Sequence, residues 1–135
     1  MNKKTFTFKR EERLKSRKTI DGLFAEGHSF GQYPLRIVWT EVQEGKTNSP
    51  VQFALTVPKK KFRNASDRNR IRRLIREAYR LQKPYFYEKL PPLERPLAMM
   101  IIFTGRETPT FDVVYESMGR ILRRLSKKYS KNMFK

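Results

Sequence analysis

The sequence has 135 residues, a length that fits one domain spanning residues 1–135, and its 31 Lys and Arg against 13 Asp and Glu give a formal net charge of +18. Such an excess of cations calls for a polyanionic partner: nucleic acid, an anionic membrane or an acidic protein. Cysteine is absent and His28 is the single histidine, which excludes disulfides, thiolate metal sites and a Cys nucleophile and leaves little imidazole chemistry. No apolar run approaches the roughly 20 residues of a membrane span, and the start MNKKTFTFKREERLKSRK lacks the apolar core of a secretion signal, so a cytoplasmic location is expected.

In chain order, Phe6 and Phe8 alternate within an opening segment that reads as an extended arm. Residues 16–26 form a short helix, with Ile20, Leu23 and Phe24 at helical spacing, Ser16 as its cap and Gly27 suited to a left-handed C-terminal position. His28 then falls at a helix end or in a loop. YPLRIVWTEV alternates Leu35, Ile37 and Trp39 against Arg36, Val38 and Thr40, and VQFALTV alternates Val51, Phe53, Leu55 and Val57 against Gln52, Ala54 and Thr56. Both are strands with one buried face. The intervening EGKTNSP carries turn residues, so an antiparallel hairpin is the simplest pairing.

The next segment, ASDRNRIRRLIREAYR, is an amphipathic helix at 100° per residue. Ile71, Leu74, Ile75 and Ala78 line one side, with Tyr79 at the edge, and Asn69, Arg72, Arg73, Arg76 and Arg80 cluster opposite. Asn64 or Ser66 caps it, Lys83-Pro84 is expected to limit its length, and YFYEKLPPLERP reads as a connection with room for one helical turn after Pro84. LAMMIIF is apolar throughout and reads as a strand covered on both faces, the centre of the sheet. Thr108 or Thr110 opens a final helix, with Phe111, Val114, Tyr115, Met118, Ile121, Leu122, Leu125 and Tyr129 in its stripe and basic residues late.

Residues 59–80 hold ten basic side chains against two acids, a net of +8. A solvated helix face would intersperse acids for i, i+4 pairing, and here only Arg73 and Glu77 have that spacing. The uncompensated cations therefore point to an anion-binding surface. Arginine's planar fork grips phosphate through two hydrogen bonds and stacks on bases, which favours a structured nucleic acid. The sheet side carrying Arg36, Val38, Gln52, Ala54 and Thr56 is small and polar for a core, as a shallow groove for an extended single strand would require, or simply a solvated surface. No phosphate loop, metal-ligand cluster or paired-carboxylate site occurs, so the chain is expected to break no bonds itself.

The run FALTVPKKKFRNASDRNRIRRLIREAYR resembles the signature of the protein subunit of bacterial ribonuclease P. The likeness continues through Phe6, Phe8, Lys9, Glu12, Arg13 and Leu14, through Leu23, Phe24 and Gly27, and into the late apolar strand and closing basic helix. Two departures are one extra residue around Lys61, Phe62 and Arg63, and Ile20 where many relatives have an aromatic.

The resemblance implies an α+β sandwich in the order α-β-β-β-α-β-α, with a central mixed sheet of four strands and a left-handed β-α-β crossover. It implies contact with a catalytic RNA subunit through Lys59, Lys60, Arg68, Asn69, Arg70, Arg72, Arg73, Arg76 and Arg80. A groove formed by Ile20, Phe24, Val38 or a neighbour, and Thr56 would take the 5′ leader of precursor tRNA. It further implies endonucleolytic leader removal by RNA-held Mg²⁺, with no catalytic side chain, metal or cofactor on the protein, and a monomeric protein component engaging neither membrane nor DNA. The alternative is a structural RNA-binding protein of ribosomal type. A DNA regulator would require a paired helix before Asn64, where a strand is expected, and a membrane-surface helix would require apolar residues already committed to the core.

Overall fold

Every strand-facing residue of LAMMIIF needs apolar cover, and the computed structural model, which describes residues 12–42, 50–91, 93 and 95–133, meets that need by placing it between two other strands. The elements run α1 (Arg17–Glu26), β1 (His28–Gln32), β2 (Leu35–Glu41), β3 (Val51–Thr56), α2 (Ala65–Lys89), β4 (Leu97–Phe103) and α3 (Phe111–Met133). The sheet order is β1-β2-β4-β3, with β4 antiparallel to β2 and parallel to β3. This corrects the expected β2–β3 hairpin. The two strands do run in opposite directions, but β4 inserts between them and takes the hydrogen bonds of both. The turn assigned to EGKTNSP falls mainly at residues 43–49, outside the described residues, as does the N-terminal arm.

The sheet has helices on both faces. On one, Ile37, Trp39, Phe53, Met99, Ile101 and Phe103 meet α2 through Ile71, Ile75, Ala78 and Tyr79, and α3 through Val114, Met118, Ile121 and Leu125. Each fully buried isoleucine stabilises the fold by about 1.5–3 kcal/mol relative to exposure. Tyr79, expected at the edge of its stripe, is fully buried and stacks on Phe53 with ring centroids 4.0 Å apart. Its burial, with Tyr87 and Glu12 nearby, pushes the phenol well above its ordinary range. On the other face, Leu14, Leu23, Val38, Val42, Ala98 and Met100 form a second, smaller core beneath α1. Arg13 bridges Phe53 in parallel and the Leu14 N–H donates to the Phe53 carbonyl at 2.9 Å, which covers part of β3's outer edge.

Three local expectations change. His28 opens β1 and its ring lies 5.4 Å from that of Trp39. Gly27 is extended, with φ −69°, so no left-handed turn explains it; a Cβ there would stand 2.4 Å from the Leu23 carbonyl oxygen and 2.9 Å from Val38, and close approach of helix to sheet is what requires glycine. Finally, α2 takes the turn allowed after Pro84 without a break and continues to Lys89, so the first part of the expected connection is helix. An interior proline costs a helix about 3 kcal/mol. Here Lys83, Pro84 and Phe86 are all buried, so tertiary contacts hold the last two turns against that cost.

Capping follows the sequence closely. Ser16 accepts from the Thr19 N–H at 3.2 Å, Asn64 from the Ser66 N–H at 2.8 Å and Thr110 from the Val113 N–H at 3.4 Å, each satisfying an orphan donor at a helix start.

Candidate nucleic-acid interface

The loop from β3 enters α2 through an internally anchored platform. Phe62 is buried against Phe103, with ring centroids 5.6 Å apart, and Lys61 Nζ donates to the Thr104 carbonyl at 3.2 Å. Arg68 donates from Nη1 to the carbonyls of Phe62 at 2.7 Å and Arg63 at 2.9 Å. Its guanidinium thus holds the loop onto the helix. Arg80 is likewise engaged: Nε and Nη2 grip the Glu77 carboxylate at 2.9 and 2.5 Å, which lowers the carboxyl below its usual range. Glu77 therefore pairs with Arg80, three residues on, rather than with Arg73, four residues back.

Those internal ties sort the cations of the segment. Lys59 and Lys60 are exposed in the loop, Asn69, Arg70, Arg73 and Arg76 are exposed on α2, and Arg72 is half-buried. The α2 members lie on the side of the helix away from Ile71, Ile75 and Ala78, so the apolar stripe seats the helix and leaves these groups hydrated. Of the predicted contact residues, six cations then face outward, Lys59, Lys60, Arg70, Arg72, Arg73 and Arg76, with Arg63 exposed beside them in the loop, while Arg68 holds the loop and Arg80 pairs with Glu77.

The groove residues occupy the opposite face of the sheet. Register places Val38 in one cross-strand row with Ser29, Met100 and Ala54, and Thr56 in the next with Ile102, Arg36 and Gly31. Val38 is only 8% exposed. It floors the groove beneath Gly27 and does not line its open part. The small, polar surface expected from Arg36, Val38, Gln52, Ala54 and Thr56 is narrower than its sequence suggested, because Leu14 and Leu23 fill one side as core. Openness increases toward Thr56: Ala98 and Met100 are buried, Ile102 and Thr56 half-buried, and Arg36 exposed. Ile20 is half-buried against this core, while Phe24 stands 60% exposed on α1, a large apolar ring without cover. Because Thr56 ends β3 and the following loop enters α2, the open end of the groove and the cationic helix share one end of the sheet.

The basic face of α3 is largely occupied by its own protein. Arg120 pairs with Glu116 at 2.7 Å, Arg124 lies over the Phe30 ring at 4.0 Å and Lys128 over the Trp39 ring at 5.3 Å. A buried ion pair escaped the sequence reading altogether. Lys83 Nζ donates to Glu12 Oε1 at 2.5 Å and the Tyr87 hydroxyl to Glu12 Oε2 at 2.6 Å, with Lys83 1% and Glu12 4% exposed. Helical phase gave no warning of it, since at 100° per residue Lys83 falls between Arg72 and Arg76; the available signals were its place four residues after Tyr79 and Glu12 within the N-terminal motif. Among the described residues no group of three or more His, Cys, Asp or Glu could hold a metal ion, and no helix is long and apolar enough to cross a membrane.

Comparison with known proteins agrees with this arrangement. A family model described as Ribonuclease P matches residues 8–126. The ribonuclease P protein component of Porphyromonas gingivalis is 35% identical over 122 residues, covering 90% of this chain and 88% of the relative. That of Chlorobium phaeobacteroides is 27% identical over 128 residues, covering 88% of each. Among solved structures, the Staphylococcus aureus RNase P protein superposes with a TM-score of 0.65 at 20% identity, covering 84% of this chain and 94% of that one. The Thermotoga maritima RNase P protein gives 0.63 at 22% identity, covering 84% and 96%, and both likenesses bear on the fold. The chain belongs to the ribonuclease P protein family, the protein components of a tRNA 5′-processing endoribonuclease.

Proposed function

We propose that this chain acts as a counterion and a clamp for a catalytic RNA. Lys59, Lys60, Arg70, Arg72, Arg73 and Arg76 meet phosphates of the RNA subunit, Asn69 adds a neutral hydrogen-bonding contact among them, Arg68 keeps the platform in place, and Arg80 offsets the charge of Glu77 beside it. Neutralising phosphates releases condensed counterions, which favours association and lets the folded RNA tolerate less magnesium. The groove beside Phe24, Ile20 and Thr56, floored by Val38, takes the single-stranded 5′ leader of precursor tRNA. Leader contacts exist only before cleavage, so precursor binds more tightly than product and the mature end is released. Mg²⁺ is held by the RNA, which performs the hydrolysis. The protein supplies no catalytic side chain and no cofactor, and works as a monomer.

The observation that carries this reading is the division of labour on α2, whose stripe is buried while six cations at its start and in the preceding loop face outward. Reconstitution with the RNA subunit and precursor tRNA tests it. Adding the protein should lower the magnesium concentration at which the leader is removed, and should favour precursor over mature tRNA. An unchanged magnesium requirement with equal binding of both tRNAs would contradict it.

A further inference from the structure

The row that runs across the open part of the groove, Thr56, Ile102, Arg36 and Gly31, ends on the outer strand β1. Arg36 is the charged member of that row and is exposed. Its guanidinium does not extend freely into solvent. Nη2 donates to the Ser29 hydroxyl at 2.9 Å, and a Cβ built on Gly31 would stand 3.3 Å from Nη1. Glycine at that position lets the guanidinium lie close over the β1 backbone, and Ser29 fixes its direction.

Several other arginines spend their charge or donors on the protein itself. Arg80 and Arg120 grip carboxylates, Arg68 is spent on two carbonyls and Arg124 covers an aromatic ring. Arg36 forms no ion pair with an acid among the described residues, and a hydroxyl leaves its charge intact. Of its five N–H donors, the Ser29 bond uses one. A cation held in one direction at the rim of a groove, uncompensated and rich in donors, is preorganised for an oxyanion because little side-chain freedom remains to be lost on binding.

We infer that Arg36, with Ser29 and Gly31, forms a phosphate subsite at the β1 rim of the groove, which grips one backbone phosphate of the leader after the chain has crossed from Thr56. This rests on the leader reading given above. Two strand spacings separate the Thr56 and Arg36 positions, about 10 Å, so only a leader long enough to cross the sheet reaches it. The subsite reads leader length, not leader sequence, because a phosphate contact carries no base information.

The test uses the reconstituted holoenzyme and precursor tRNAs whose leaders are shortened one nucleotide at a time, with Arg36→Gln, Arg36→Lys and Ser29→Ala compared with the parent protein. Arg36→Gln should weaken binding of long-leader precursors by about tenfold, the worth of one charged hydrogen bond. It should leave the shortest leaders unaffected. The slope of log affinity against log salt should become shallower by about 0.7, the expectation for one phosphate contact to a single strand. Arg36→Lys should restore the slope but only part of the affinity, since a point charge lacks the planar fork. Ser29→Ala should cost less than Arg36→Gln and keep the slope. Equal loss at every leader length, or no loss with long leaders while the parent protein still prefers precursor to mature tRNA, would overturn the subsite. A parent protein with no such preference would overturn the leader reading itself.

Discussion

Replacing Arg73 and Arg76 together by alanine is expected to weaken association with the RNA subunit by about a hundredfold or more, because each lost charge-assisted phosphate contact is worth about 1.5–3 kcal/mol. Both side chains are exposed on the face of α2 opposite the buried stripe, so the fold should survive their removal. Arg80→Ala supplies the contrast. Its guanidinium already grips Glu77, and its loss also frees that carboxylate, so the net change in local charge is no guide to contact with RNA. Phe24→Ala should act elsewhere, reducing precursor affinity while leaving assembly with the RNA subunit near its parent value. Filter binding with the RNA subunit alone and with precursor tRNA on the preassembled complex separates the two surfaces. Equal losses in both assays for both variants would merge them into one.

The second large effect concerns stability. Lys83→Met should destabilise the protein by about 3–5 kcal/mol, since it leaves the Glu12 carboxylate buried without its cation. Against a total of about 5–15 kcal/mol for a domain, that is a large fraction, and the denaturant midpoint should fall accordingly. The location makes the loss more than local. Glu12 lies two residues before Leu14, whose N–H joins the N-terminal segment to β3, and Lys83 is in the α2 turn that contains Pro84. Breaking the pair thus loosens both the entry to α1 and the proline-containing turn of α2. The double variant Glu12→Leu, Lys83→Met should recover much of the loss, because an apolar pair of similar bulk removes the buried charge altogether. A single variant as stable as the parent would show that the pair contributes nothing to folding.

Helical and strand periodicity made much of this fold legible. The stripe of Ile71, Ile75 and Ala78, the alternation of Leu35, Ile37 and Trp39, and the unbroken apolar run of β4 each reported a burial requirement that the structure satisfies. Pairing was less accessible. Turn residues between β2 and β3 specify a reversal of direction, but not whether a later segment will insert between them, and β4 was the segment whose two-sided apolar character demanded exactly such a place. β1 gave no periodic signal because only Phe30 of its five residues is buried. Its polar, glycine-containing sequence suits an edge strand and resembles a loop.

The cationic surface was legible for the same reason as its helix, since outward residues follow from the phase of inward ones. What each arginine does was not. Arg68 turns back to loop carbonyls and Glu77 chooses Arg80 over Arg73, choices set by side-chain reach in three dimensions. Val38 alternates correctly away from the main core, yet lies beneath α1 because the second face has a core of its own. Pro84 and Gly27 show the same limit: local rules predicted a weakened helix end near Pro84 and a left-handed turn at Gly27, and tertiary packing decided otherwise.

The central claim is that outward cations at the start of α2 and in the preceding loop meet RNA phosphates, and the salt dependence of binding to the RNA subunit tests it most directly. With about six phosphates neutralised, affinity should fall roughly a thousandfold between 50 and 200 mM monovalent salt, and the Arg73→Ala, Arg76→Ala protein should show a correspondingly shallower line. A nearly flat titration, or identical slopes for the two proteins, would contradict it.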